Sequence, residues 1–180
     1  MTGDALPPIV VMGVSASGKT SVASALAMRL GVQWRDADDL HPPENVAKMA
    51  SGIPLSDDDR WPWLDEVGRE LAAGAASGGC IFACSALRRV YRDRLRLRAR
   101  GVLFIHLTGD PELLAERAAA REDHYMPASL LPSQLAALEP LDADENGVVL
   151  DVAASVDQIT DAAVIWLMST LNVTIPSDSA

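Results

Sequence analysis

The stretch Gly13-Val14-Ser15-Ala16-Ser17-Gly18-Lys19-Thr20 has the spacing G-x-x-x-x-G-K-[ST]. Glycines permit backbone conformations that other residues resist. Successive N–H groups of such a turn converge on an anion at the N-terminus of the following helix. The lysine can reach the β- and γ-phosphates of a nucleotide, and the threonine hydroxyl can be offered to Mg2+. Gly13 to Thr20 and the adjoining Ser21 are therefore candidate nucleotide contacts, with Lys19 also a candidate catalytic cation. An ordinary Gly/Ser turn is the alternative, and the motif alone gives binding, not a reaction. A second group is Asp36-Ala37-Asp38-Asp39-Leu40-His41. D-x-D on an extended chain sends its two carboxylates to alternate sides. One could face Mg2+ and the other a substrate hydroxyl; a solvated acidic turn is the competing account. A third group is Ser56-Asp57-Asp58-Asp59-Arg60-Trp61-Pro62-Trp63, which holds more acid than a helix start needs.

These groups need elements to hold them. Ile9 to Met12 reads as a buried strand leading into the glycine-rich turn, and Ser21 to Leu30 as a helix stopped by Gly31. Val32 to Arg35 is a short second strand, placing the D-x-D at its end. Pro42 to Ala50 is a short helix, and Ser56 opens a longer one to about Ala76. Cys80 to Cys84 is a third strand followed by an arginine-rich helix, and Val102 to Leu107 is a fourth. Asp110-Pro111 supplies an N-cap and a first-turn proline for a helix reaching about Arg121. Val148 to Val152 is a fifth strand. Ser155 and Gln158 form a capping-box pattern for a last helix to about Leu171. Strands alternating with helices predict an α/β fold, a parallel sheet with helices on both faces. Ligands of such sheets sit at the carboxyl ends of strands, where all three groups fall.

Length and composition narrow the classes. The chain has 180 residues, 49% hydrophobic, which suits one domain of core about 9–171 with frayed tails at 1–7 and 174–180. No apolar run approaches the ~20 residues of a membrane span, and the N-terminal stretch MTGDALPP has no signal-peptide pattern, so a cytoplasmic protein is expected. A net charge of -10 argues against nucleic acid as a partner. Arg88 to Arg100 is a local exception, with seven of the fifteen basic residues; on a helix they point several ways, as on a solvated face, with Arg88 or Arg92 as candidate exceptions. Cys80 and Cys84 are too few for a disulfide scaffold or zinc site.

GVSASGKT, DADDLHPPENVAKMASGIPLSDDDRWPWL, CSALRRVYRDRLR, FIHLTGD and REDHYMPASLLPSQLAALEPL resemble the successive blocks of the gluconokinases, from about Ile9 to Leu167. The resemblance implies a P-loop kinase fold similar to shikimate kinases: a five-stranded parallel sheet in the order 2-3-1-4-5 and a small helical lid at about 117–138. It implies ATP and Mg2+ as cofactors and transfer of the γ-phosphoryl to the 6-hydroxyl of D-gluconate. Asp38 falls where related kinases face the acceptor hydroxyl, as base or orienting group, with Asp36 nearer the metal beside Thr20. Gluconate carries one carboxylate and five hydroxyls. Arg60 fits the carboxylate through a two-pronged hydrogen bond, Arg88 is a second candidate, and His41 and the acids (Asp58 among them) are candidates for hydroxyls. Trp63 is a pocket wall or simply core. In the lid, Arg117 would lie against the adenine and Arg121 would reach the transferring phosphoryl group. Two solvated arginines near a helix end are the bland alternative. His124 and Tyr125 match a family pair without an evident role, and Gln134 contacts substrate or stabilises the lid helix. Relatives of this kind are often homodimers.

The sequence departs from the family pattern at Ala16, where a glycine is usual. If that position needs φ above zero, alanine costs about 1 kcal/mol or more. Cys84 reads as a small buried residue, not a nucleophile. A kinase for another small acid such as shikimate, and a nucleotide-binding regulator without turnover, are the competing functions.

Overall fold

The computed structural model describes residues 6–120 and 127–172. The described residues form five strands and seven helices. They are β1 (Ile9–Met12), α1 (Lys19–Leu30), β2 (Gln33–Asp36), α2 (Pro43–Ala50), α3 (Asp57–Ala76), β3 (Cys80–Ala83) and α4 (Arg89–Arg98), then β4 (Leu103–Thr108), α5 (Pro111–Ala119), α6 (Leu131–Ala137), β5 (Gly147–Asp151) and α7 (Val156–Leu171). The strands form one sheet in the order β2-β3-β1-β4-β5, and every neighbouring pair is parallel. That is the expected order.

The sheet is buried on both faces, so its central strands are apolar runs without alternation. Alternate residues still go to different cores. Ile9, Val11, Ile81, Ala83 and Ile105 face a cluster shared with Val22 and Leu26 of α1 and Ile159 and Ala163 of α7. Val10, Met12, Phe82 and Phe104 face a second cluster with Leu64, Val67 and Leu71 of α3 and Leu95 of α4. A third, small cluster joins Met49, Leu55 and Leu130. Among the described residues, no helix is long and apolar enough to cross a membrane.

Helix ends follow local chemistry. Helix α1 starts at Lys19, two residues before its apolar pattern begins, because the phosphate-loop motif winds directly into its first turn behind Gly18 at φ 87°. Gly31 at φ 66° closes it, donating its N–H to Ala27 O. Ser56 and Asp59 form a capping box at α3, and Ser155 and Gln158 form another at α7. Strand β2 runs one residue further than its pattern suggests and takes in Asp36.

The most demanding interaction in the core is a charge. The side chain of Arg92 on α4 is completely buried, as is its partner Glu145. Nε and Nη2 donate to the two Glu145 oxygens at 2.7 and 2.8 Å, a bidentate pair. Nη1 and Nη2 also reach the carbonyls of Ala86, Leu87, Glu139 and Pro140 at 3.0–3.3 Å. One guanidinium thus fastens the β3–α4 loop to the chain that leaves α6. Breaking a buried pair by removing one partner costs about 3–5 kcal/mol, because a charge is left uncompensated. Arg92→Met is therefore expected to lower the unfolding free energy by about that amount. Urea denaturation followed by circular dichroism measures it, and a loss below about 1 kcal/mol would contradict the assignment.

Candidate active site

The phosphate-loop motif occupies the turn from β1 to α1 at the carboxyl edge of the sheet. Gly13 has φ 146°, and a Cβ there would lie 2.6 Å from Leu107 O and 2.8 Å from Ser17 Oγ, so no larger residue fits. Ala16 has φ 62°, the left-handed conformation its position was expected to need, and it is buried. Lys19 Nζ donates to Val14 O at 2.8 Å, folding the ammonium back over the loop.

Strand β2 delivers the D-x-D. Asp36 Oδ2 accepts the Thr20 hydroxyl at 2.9 Å, and its Oδ1 accepts the Asp38 N–H at 3.0 Å, capping a 3-10 turn at Ala37–Leu40. One carboxylate therefore ties the first turn of α1 to the end of β2. The Thr20 hydroxyl and the Asp36 carboxylate form a hard-oxygen pair of the kind Mg2+ takes.

Asp38, His41, Arg60 and Trp63 line one cleft with Ser15, Lys19 and Thr20. Trp63 is both wall and core: it is buried, donates Nε1–H to Ala37 O at 2.7 Å, and stacks on His41 with ring centres 4.1 Å apart. Burial, and then the Arg60 charge, push the His41 pKa down to about 4, so its imidazole is neutral near pH 7. Its Nδ1 faces the Asn45 side-chain amide at 3.4 Å, which leaves Nε2 to meet a ligand hydroxyl.

The acidic run is divided differently from its expected use. Asp57 accepts Tyr91 O–H at 2.5 Å and Arg88 Nη1 at 2.8 Å. The Tyr91 hydrogen bond is the main reason its carboxyl titrates below the usual range. Asp59 accepts Lys48 Nζ at 2.6 Å and the Ser56 N–H at 2.8 Å, and these hold it at about pKa 2. Asp58 is exposed and is not on the cleft wall. Two acids of the three thus serve as braces.

Of the two candidate carboxylate binders, Arg60 lines the cleft and Arg88 does not. Arg60 Nη1 donates to Leu55 O and to Tyr91 Oη, the latter at 3.2 Å, and its guanidinium sits 5.3 Å from the Tyr91 ring centre. Arg88 is held by Asp57, with its guanidinium 5.5 Å from the Tyr91 ring centre. Tyr91 was not among the expected site residues. It lines the cleft and organises Arg60, Arg88 and Asp57, a role hidden inside an arginine-rich helix with no motif of its own.

A separate cleft of about 500 Å³ opens on the other side of the loop. Ala16, Ser17, Gly18 and Ser21 form one wall, and Arg117, Val152, Ser155 and Ile159 the other. Arg117 donates to Val152 O at 3.0 Å, which lays its side chain along this cleft. From α6, Gln134 reaches the opposite face of the loop, where its Oε1 accepts the Ser15 N–H at 2.6 Å. Arg121, His124 and Tyr125 lie outside the described residues. Cys84 is buried, with its thiol pushed up to about 12 by desolvation, which excludes a nucleophilic role.

Sheet order, phosphate loop and twin clefts together define a P-loop kinase. Residues 9–141 match the family described as AAA domain. A gluconokinase of Gluconobacter oxydans is 50% identical over 141 residues, 76% of this chain and 78% of that protein. A crystal structure of a gluconokinase from Sinorhizobium meliloti superposes with TM-score 0.85 at 44% identity, covering 94% of this chain and 96% of that one. A sugar kinase from Janibacter sp. gives TM-score 0.86 at 48% identity, covering 92% and 96%. The chain belongs to the gluconokinase family.

Two predictions follow from the site. His41 and the buried His106 of β4 are both pushed down to about 4, each chiefly by burial. In the unfolded chain they titrate near 6.5. As pH falls from about 6.5 toward 4 the unfolded state takes up protons first, so stability drops across that window and is flat above it. The urea midpoint should fall between pH 7 and pH 5, and His106→Leu should reduce that slope; an equal slope in the variant would remove His106 from the account. Ala16→Gly relieves a left-handed alanine, worth about 1–2 kcal/mol, but adds unfolded-chain entropy of about 0.4–1 kcal/mol. A net gain of between about 0 and 1.6 kcal/mol in thermal or urea unfolding is expected, and a clear loss would contradict the strain.

Proposed function

We propose that this chain transfers the γ-phosphoryl group of ATP to the 6-hydroxyl of D-gluconate, giving 6-phosphogluconate and ADP in the cytoplasm. The observation that carries the reading is one cleft that places Lys19 and Thr20 of the phosphate loop opposite Asp38, His41 and Arg60. Phosphoryl transfer asks little covalent chemistry of a protein and much positioning and charge neutralisation. Lys19 supplies positive charge beside the loop amides. Asp38 orients the acceptor hydroxyl and takes its proton as the phosphorus–oxygen bond forms. Thr20 and Asp36 are the residues that would hold Mg2+, whose charge neutralises the phosphates. Among the described residues no cluster of three or more His, Cys, Asp or Glu side chains could hold a metal, which fits a cation that draws most ligands from phosphate and water.

Arg60 takes the gluconate carboxylate. Among the described residues its hydrogen bonds use Nη1 only, which leaves Nε and Nη2 as a fork for two carboxylate oxygens. Asp57 and Tyr91 steady that arginine, and neutral His41 with Trp63 behind it meets the hydroxyl chain. Arg117 lies along the adenine side, and Arg121 supports the transferring group.

The test is a coupled ADP-release assay over sugar acids, shikimate and nucleoside monophosphates. Turnover with gluconate is expected; turnover only with another acceptor, or tight ATP binding with none, would overturn the reading. Asp38→Asn should lower kcat by about 100-fold or more while ADP affinity by calorimetry stays within about twofold. Arg60→Ala should raise the gluconate KM at least about tenfold, as loss of a charge-assisted pair does, with little change in KM for ATP. Chelation of divalent metal should abolish turnover.

A further inference from the structure

Helix α6 puts Gln134 on the wall of the acceptor cleft and is fastened at both ends. Before it, Leu130 packs with Met49 of α2 and Leu55, the small cluster separate from the two main cores. After it, the Glu139 N–H donates to Leu87 O at 2.8 Å, and Arg92 Nη1 and Nη2 donate to the Glu139 and Pro140 carbonyls. These last contacts belong to the Arg92–Glu145 cage. The helix is therefore a fixed beam, and its first turns and last residues are set by the walls of the cleft.

From the middle of this beam Gln134 extends to the phosphate loop. The Ser15 N–H is a donor, so the atom it meets must be the amide oxygen of Gln134, at 2.6 Å. The contact spans 119 residues of sequence. It falls at a particular corner. Ser15 lines the acceptor cleft and not the nucleotide cleft, whereas Ala16, left-handed at φ 62°, lines both. A non-glycine residue keeps that conformation only where its surroundings over-determine it. Gln134 supplies one such restraint at the preceding residue and places an amide plane over the loop on the side from which an acceptor would approach.

We propose that Gln134 is a positioning residue for transfer to the acceptor: it holds the Ser15–Ala16 corner in place and closes the acceptor side of the phosphate loop against water. The inference rests on the kinase reading for its catalytic consequence but not for the contact itself. If the corner shifts, the loop presents phosphate at a poorer angle to the acceptor, and water gains access to it. A residue that merely touched substrate would change affinity instead.

The experiment uses the full chain with Gln134→Met, which keeps length without an acceptor, and Gln134→Glu, which keeps an acceptor oxygen. In nucleotide-free protein, NMR amide exchange at Ser15 should be about five- to tenfold faster in Gln134→Met and near wild type in Gln134→Glu. In Gln134→Met the gluconate-dependent kcat should fall about tenfold or more with gluconate KM within about threefold, and the ratio of ATP hydrolysis to gluconate phosphorylation should rise. Unchanged Ser15 exchange in Gln134→Met would overturn the contact. A rise in gluconate KM with kcat and the hydrolysis ratio unchanged would make Gln134 a substrate contact only, and a fall in melting temperature with neither kinetic change would make it only a helix brace. Absence of gluconate turnover in the wild type would sink the kinase reading, while the exchange measurement would still decide the contact.

Discussion

A guanidinium with no exposed surface can exist only if every donor finds an acceptor, and Arg92 meets that demand by drawing four carbonyls and one carboxylate around itself. Those acceptors come from three stretches of chain distant in sequence. Ala86 and Leu87 belong to the loop that forms the cleft floor, Glu139 and Pro140 to the exit of α6, and Glu145 to the approach to β5. The placing of the Leu87 loop on the cleft and of the chain leaving α6 thus depends on satisfying one buried cation. Ala86 itself is left-handed, at φ 42°, and both its carbonyl and that of its neighbour Leu87 are held by Arg92.

The rest of the arginine-rich helix follows the same logic at the surface. Arg89 pairs with Asp93, Asp142 and Asp144, Arg94 and Arg98 with Asp65, and Arg96 with Asp93. Among the described residues, most of this stripe is thus paired with acids of the same molecule. A net charge of -10 is then compatible with binding a polyphosphate, because the phosphate loop works through main-chain N–H groups and one lysine.

Much of this was legible in the sequence. Apolar runs of four to six residues marked the strands, Ser56 marked the start of α3, a capping box marked that of α7, and the loop motif between strand and helix marked the nucleotide side. The positive φ of Ala16 was readable because that position lacks its usual glycine. What was not legible depends on partners far away in the chain. Asp57 and Asp59 read as surplus acceptors because Tyr91, Arg88 and Lys48, which take them up, lie on other elements. Arg60 and Arg88 were first and second candidates for the carboxylate, and only the facing of α3 and the start of α4 puts one on the cleft wall and leaves the other off it. Arg92 was one of seven arginines in a run and, with Arg88, a candidate exception to a solvated face, but nothing local decides between the two; the acceptors that bury Arg92 lie on distant stretches of chain.

The left-handed alanine of the phosphate loop has a thermodynamic consequence beyond its strain. A glycine at that corner would let the adjoining peptide planes sample several orientations when no anion is present. Alanine, held between Ser15 and the buried Ser17, removes most of them in advance. Nucleotide binding then orders less of the loop, so a smaller share of the interaction enthalpy is cancelled by lost backbone entropy. The folded chain bears that ordering permanently, as a small decrement in its own stability, and each binding event is relieved of it.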